Sequence, residues 1–181
     1  MAEFFDALNE EHIEFIGNQH IFFVGTAANE GRINVSPKGR DAFRVLDANN
    51  VLWLNLTGSG NETAAHVIEN DRMTVMFCSF DKQPLILRLY GKASMIYPRD
   101  AKFQGYLELF DNQPGTRQFF EMRVDSVQTS CGFAVPRYEL QSERDTLVKW
   151  AKGKGEEGLQ EYWAERNQVS IDGNPTNIVK E

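Results

Sequence analysis

Val51-Leu52-Trp53-Leu54-Asn55-Leu56-Thr57-Gly58-Ser59-Gly60-Asn61-Glu62-Thr63 is the stretch on which the fold turns. Its first six residues predict a strand too apolar to lie on a sheet with one wet face. The glycines end that strand, and Ser59 and Glu62 stand at capping-box spacing for a short helix from about Glu62 to Glu69. A strand therefore runs through a glycine loop into a helix N-terminus, where free backbone N–H groups and the helix dipole favour an anion. Glycines let the backbone come close to that anion, and Thr57, Ser59, Asn61 and Thr63 add side-chain donors. A phosphate is the natural occupant; the plainer alternative is that Ser59 only caps a helix.

Short strands surround this stretch. Ile21–Ala27 and Arg32–Ser36 flank the turn Ala28-Asn29-Glu30-Gly31, and Phe43–Leu46 leads through Asp47-Ala48-Asn49-Asn50 into the apolar strand. Met73–Cys78, Leu85–Tyr97 and Phe119–Val127 follow as strands, with a helix over 100–110, and Gln128–Phe133 is expected to turn away from the last of them. Phe5, Leu8, His12, Phe15 and Ile16 lie at helical spacing and predict an N-terminal helix over 4–16. From Ser142, a candidate cap, the chain reads as helical; Leu147, Val148 and Trp150 form an apolar face, Gly153 and Gly155 break the run, and a second helix carries Leu159, Tyr162 and Trp163. The tail from Val169 is polar and is expected to be partly ordered at most. Many strands with one mid-chain helix and terminal helices argue for a mainly β, α+β arrangement built on a β-barrel or sheet core.

Gly58-Ser59-Gly60-Asn61-Glu62-Thr63 also imitates a dinucleotide-binding turn, with Asp81 near the expected ribose-binding distance. The context opposes it. Four strands joined by short turns precede the helix, the pattern of antiparallel hairpins, and the third glycine is missing.

At 181 residues the chain predicts about one domain, long enough to bury a core without a disulfide or metal staple. It is 41% hydrophobic and 25% charged, which argues against disorder, and its net charge of −7 makes it a poor general binder of nucleic acid. No apolar run approaches the ~20 residues of a membrane helix. The first residues lack the pattern of a signal peptide. Cys78 and Cys131 have no ligand-like spacing, and His12, His20 and His66 are scattered, so a reduced, cytoplasmic protein without a metal site is expected. Cys131 reads as a small residue at a strand end rather than a reactive thiol.

In an acidic chain, clustered cations draw interest. Arg32, Lys38 and Arg40 gather around Ser36-Pro37-Lys38-Gly39, and Pro37 is expected to end or kink its strand so that Lys38 projects at a barrel rim. Arg88 interrupts an apolar strand, on the face opposite Leu85, Leu87 and Leu89. A buried Arg needs an anionic partner or several acceptors. That partner is either a ligand or one of the 26 carboxylates.

Val35–Gly39, Leu54–His66, Leu87–Gly91 and Val127–Gly132 together resemble the pyridoxamine 5′-phosphate oxidase-related, flavin-binding split-barrel proteins over about residues 8–136. The resemblance implies a six-stranded split β-barrel over 1–136, a helical extension over 137–181 packed on the same domain, and a homodimer with FMN at the subunit interface. It also implies that FMN is held by Ser36, Pro37 and Lys38, by Asn55, Leu56, Thr57, Gly58, Ser59, Asn61 and Thr63, and by Arg88, with Gln128 and Ser130 reaching the ring from the partner subunit. The chain departs from the oxidase proper. Glu62-Thr63 stands where that enzyme's phosphate loop carries an Arg-Lys pair, and Glu62 is expected to turn outward within the capping box. Pyridoxamine 5′-phosphate oxidation is thereby in doubt; flavin binding is less affected. The expected function is an FMN-dependent oxidoreductase acting on a small molecule or taking electrons from a nicotinamide donor. The alternative is a flavin-, haem- or deazaflavin-binding protein without turnover, with His66 the least implausible haem ligand.

Overall fold

The computed structural model describes residues 2–111 and 113–179. Eight strands and four helices follow one another as β1 (Glu3–Phe5), α1 (Glu10–Gly17), β2 (Phe22–Thr26), β3 (Asn34–Lys38), β4 (Phe43–Asp47), β5 (Asn50–Leu56), α2 (Glu62–Glu69), β6 (Arg72–Cys78), β7 (Leu85–Ile96), α3 (Phe103–Leu107), β8 (Thr116–Cys131) and α4 (Thr146–Arg166). All pairings are antiparallel, in the order β3-β2-β6-β7-β8-β5-β4. β1 joins β8 at Val127–Thr129, beyond the residues that β5 occupies. The result is an α+β split barrel, and the antiparallel order disposes of the dinucleotide-fold alternative.

The core follows the alternation in β2, β6 and β7. Val24, Val75, Leu89 and Val127 lie in register, as do Phe22, Phe77 and Leu87 in the next row, and all are buried. Trp53 stacks on Phe120 with ring centroids 4.5 Å apart, and Phe22, Phe43 and Phe77 pack edge-on or tilted beside it. β5 is buried on both faces because its other face, with Leu54 opposite Phe119, meets a second aromatic group formed by Phe103, Tyr106 and Phe110. Between Tyr90 and Gly91 the β7–β8 register slips by one residue. A Cβ on Gly91 would stand 1.9 Å from the Arg123 carbonyl oxygen, so only glycine fits this bulge.

Five expectations are corrected. The N-terminal helix starts at Glu10, not near residue 4, because Asn9 caps it: its side chain accepts from the His12 N–H while the His12 ring accepts from the Asn9 N–H. Phe5 belongs to β1 and only touches His12 edge-on, at 4.7 Å, so its helical spacing reflects a contact between two elements. β8 continues to Cys131 instead of turning away at Gln128, because Leu85–Leu87 and β1 pair with its last residues. The C-terminal helix begins at Thr146 after Asp145, not at Ser142; the segment before it is held non-helically, with the Tyr138 N–H donating to Phe80 and Arg40 donating to the Arg144 carbonyl. The tail packs: Ser170, Thr176 and Ile178 are buried, and the Tyr97 hydroxyl donates to the Thr176 carbonyl. Gly155 breaks α4 as expected, at φ 65°. Pro37 ends nothing, since β3 is the sheet edge and has an N–H side free for proline.

Among the described residues no helix is long and apolar enough to cross a membrane.

Candidate functional site

The predicted residues fall into two groups on opposite faces of the sheet. In the paired rows, Ser36 shares the inward face with Val24 and Val75, and Lys38 shares it with Phe22 and Phe77. Both side chains therefore point from the edge strand toward the barrel mouth. There they meet Asn55 at the end of β5 and the loop from Gly58 to Thr63, around a polar chamber of about 310 Å³.

The loop is anchored from below and behind. The Thr57 N–H and hydroxyl both donate to the Gly115 carbonyl, and the Trp163 indole N–H donates to the Thr57 hydroxyl. Asn61 and Gln118 exchange two amide hydrogen bonds, at 3.0 and 3.3 Å. Thr57 and Asn61 are thus committed within the fold, which leaves Ser59, Thr63 and the backbone to face the chamber. The capping box is absent: Asn61 occupies the N-cap without a side-chain bond, and the Glu62 carboxylate accepts from the Ile171 N–H of the tail. Glu62 does not turn outward as expected: its carboxylate lies back against Gly60, where a Cβ would stand 2.8 Å from Oε1, and borders the chamber, because the tail rather than Ser59 holds it.

Two cations border the chamber without a carboxylate partner among the described residues. Lys38 lies 5.2 Å over the Trp53 ring. Burial, reinforced by nearby Arg117, pushes its ammonium down to about 8. Arg117, at the start of β8, is 3% exposed; its Nη1 donates to the Gly60 carbonyl and to the Asn167 side chain, and its Nε has no partner. Burial lowers it to about 10. Ser36 Oγ is likewise buried and unpartnered. Arg117 was not foreseen. It precedes the apolar run of its strand and is the residue skipped where the β5–β8 register slips from Asn55 opposite Gln118 to Leu56 opposite Thr116, a bulge no local pattern reveals.

On its other side Lys38 borders a larger, mostly apolar cavity of about 980 Å³. Ile21, Pro37 and Phe80 form its barrel wall, and Tyr138, Leu147 and Trp150 come from the C-terminal extension. Arg40 and Asp41, beside it, adopt positive φ of 61° and 54°, strained for non-glycine residues.

The second group is Arg88, Gln128 and Ser130. Arg88 and Gln128 share a register row on the outer face with Phe23, Met76 and Pro37. Arg88 Nη1 donates to the Ser130 hydroxyl at 3.2 Å and has no ion-pair partner among the described residues; the Tyr90 hydroxyl donates to Gln128. Lys38 and Arg88 of one chain therefore lie on opposite faces with β2 and β6 between them, and the fold does not bring them to one ligand. His66 is 1% exposed and bonded to the Thr26 hydroxyl, so it borders neither chamber.

Two cations without a carboxylate partner among the described residues, with the unpartnered Ser36 hydroxyl, fit an anionic group in the polar chamber, and the apolar cavity beside it fits a planar ring. The comparisons with known proteins agree on the class. Residues 8–131 match the family model described as pyridoxamine 5′-phosphate oxidase. The chain is also 37% identical to the pyridoxamine 5′-phosphate oxidase family protein ustO of Aspergillus flavus, across 97% of this chain and 78% of that protein. The chain belongs to the pyridoxamine 5′-phosphate oxidase family. Among solved structures, Group A Streptococcus HupZ superposes with a TM-score of 0.54 at 18% identity, over 66% of this chain and 91% of that one. A FAD binding protein from Mycobacterium smegmatis superposes at 0.50 with 13% identity, over 70% and 97%. At these identities the structural matches show the fold.

Proposed function

We propose that the protein is an FMN-dependent oxidoreductase with its flavin bound at a homodimer interface. The observation that carries this reading is the position of Lys38 on the wall between a polar chamber bordered by two cations without a carboxylate partner among the described residues and an apolar cavity sized for a ring system. Family membership and the FAD-binding structural neighbour support a flavin as the ligand. FMN, when bound, supplies the redox chemistry, taking a hydride and passing electrons on. The chain's own residues bind and orient it. The polar chamber takes the phosphate, with the Lys38 ammonium facing it, and the apolar cavity excludes water from the ring. Arg88, Gln128 and Ser130, on the outer face, serve the ligand across the interface from a second copy. The exposed apolar side chains Phe4 and Val35 on that same face give the second copy an apolar surface to cover.

The test is the absorption spectrum and mass of the molecule that co-purifies, followed by anaerobic reduction with NADH and NADPH. Blue-wavelength flavin absorption that bleaches with either donor is expected. A bound flavin that no donor reduces would leave a carrier rather than an oxidoreductase, and a Soret band would overturn the flavin reading.

A further inference from the structure

The loop that should bind phosphate has lost the basic side chains expected of it, for Glu62-Thr63 stands at those positions. The counter-charge is found elsewhere. Arg117 enters the same chamber from β8, and its only hydrogen-bond partners among the described residues, the Gly60 carbonyl and the Asn167 side chain, are neutral. A buried guanidinium satisfied only by neutral acceptors has a large uncompensated desolvation cost. A second cation, Lys38, shares the chamber and aggravates that cost. Glu62 is the chamber's single carboxylate among the described residues, and it is engaged by the Ile171 N–H. Two like charges, an unpartnered Arg117 Nε and an unpartnered Ser36 hydroxyl in one enclosure amount to a receptor for an anion.

The C-terminal extension fixes this arrangement. Asn167, fully buried at the end of α4, accepts from Arg117 with one side-chain atom and donates to the Gly58 carbonyl with the other. One amide thus ties the guanidinium to the loop. The Thr176 hydroxyl in turn donates to the Asn167 backbone carbonyl. We propose that Arg117, clamped by Asn167 of the C-terminal extension, is the phosphate anchor of this protein, acting with Lys38 in place of the basic pair missing from the loop. The ligand class is a phosphate monoester: the chamber is lined by glycines, amides, hydroxyls and charged groups with no apolar side chain, which suits a phosphate and the start of a polyol chain rather than a fused ring. The proposal rests on the phosphate half of the flavin reading.

The test uses full-length, flavin-free wild type, R117M, R117K and N167A, each checked for folding by circular dichroism. FMN and riboflavin affinities are measured by fluorescence quenching, and inorganic phosphate is titrated in thermal unfolding. In wild type, FMN should bind more tightly than riboflavin and phosphate should raise the Tm. R117M should weaken FMN by about ten- to a hundredfold, leave riboflavin unchanged and abolish the phosphate effect. R117K, which keeps the charge but not the fork, should fall between. N167A keeps the charge and removes only its clamp, so it reads out even if R117M does not fold; FMN should weaken by about tenfold. A wild-type ratio of FMN to riboflavin affinity in folded R117M, or in N167A if R117M does not fold, overturns the proposal while the flavin reading stands. If wild type binds neither flavin yet phosphate protects it through Arg117, the proposal stands and the flavin reading fails. No phosphate protection of wild type and no preference for FMN over riboflavin overturn the anchor outright.

Discussion

Replacing Lys38 with Met should stabilise the ligand-free protein at neutral pH. The ammonium is displaced from its ordinary 10.5 to about 8, with burial the main cause and Arg117 the second. At ~1.4 kcal/mol per tenfold change, this corresponds to an upper estimate of about 3 kcal/mol lost by the folded state when Lys38 is protonated. Met keeps most of the stem packed on Trp53 and gives up the contact of the charge with the ring, worth ~0.5–1 kcal/mol. The net expectation at pH 7 is a gain of about 2 kcal/mol. Because the folded value is lower than the unfolded one, the unfolded chain holds more protons between pH 8 and 10.5. The penalty is therefore complete below pH 8, fades as pH rises through that window and is gone above 10.5. Urea unfolding of flavin-free wild type and K38M at pH 7 to 10.5 measures the difference, in which other titrating groups cancel. K38M should lead at pH 7 and lose its lead by pH 10.5; with saturating phosphate or FMN the sign should reverse, since the charge then has a partner. A difference that stays constant across the window, or that favours wild type at pH 7 without ligand, would refute a buried, unpaired Lys38.

Arg88→Ala should change apo stability by less than ~1 kcal/mol in urea unfolding, because no carboxylate is stranded; a loss of ~3–5 kcal/mol would mean that a buried ion pair was broken. Gly91→Ala should cost ~3 kcal/mol or more or prevent folding, since its Cβ would collide with the Arg123 carbonyl, whereas Gly25→Ala, with its nearest neighbour 3.8 Å away, should cost under ~1 kcal/mol. Light scattering should give twice 20.7 kDa for wild type, and the double variant F4D/V35D should shift it to the monomer; a wild-type monomer with flavin bound would end the shared-site reading.

The barrel was legible wherever one local rule dominated. α2 runs from Glu62 to Glu69 as read, because a glycine loop and an apolar face mark both its ends. The alternation around Arg88 placed Leu87 and Leu89 inside and the guanidinium outside without any tertiary information. What failed was what depended on distant partners. Ser59 and Glu62 have capping-box spacing, yet residue 171, more than a hundred positions away, takes the carboxylate. The tail has a polar composition and much of it is exposed, but Thr176 is buried and spends its hydroxyl, N–H and carbonyl on Asn167, Gln168 and Tyr97, so the tail is pinned by hydrogen bonds that composition does not reveal. Lys38 was found because it stands beside Pro37 in a local cluster of cations with Arg32 and Arg40. Arg117 was missed because its importance comes from a bulge in the ladder with β5 and a clamp from α4.

The 16-residue strand β8 has a consequence for the order of folding. It pairs with β7 along one edge and with β5 and then β1 along the other, so partners made as early as residue 3 wait for residues 116–131. During synthesis, β6 and β7 can zip as a hairpin and β2 can dock on them, but β5 has only β4 and keeps an open, apolar edge. Such distant pairing makes for slow barrel closure. A ribosome-bound chain ending before Thr116 presents Val51–Leu56 as an apolar strand with one open edge, a natural site for holdase chaperones, and release of that edge should coincide with the emergence of β8.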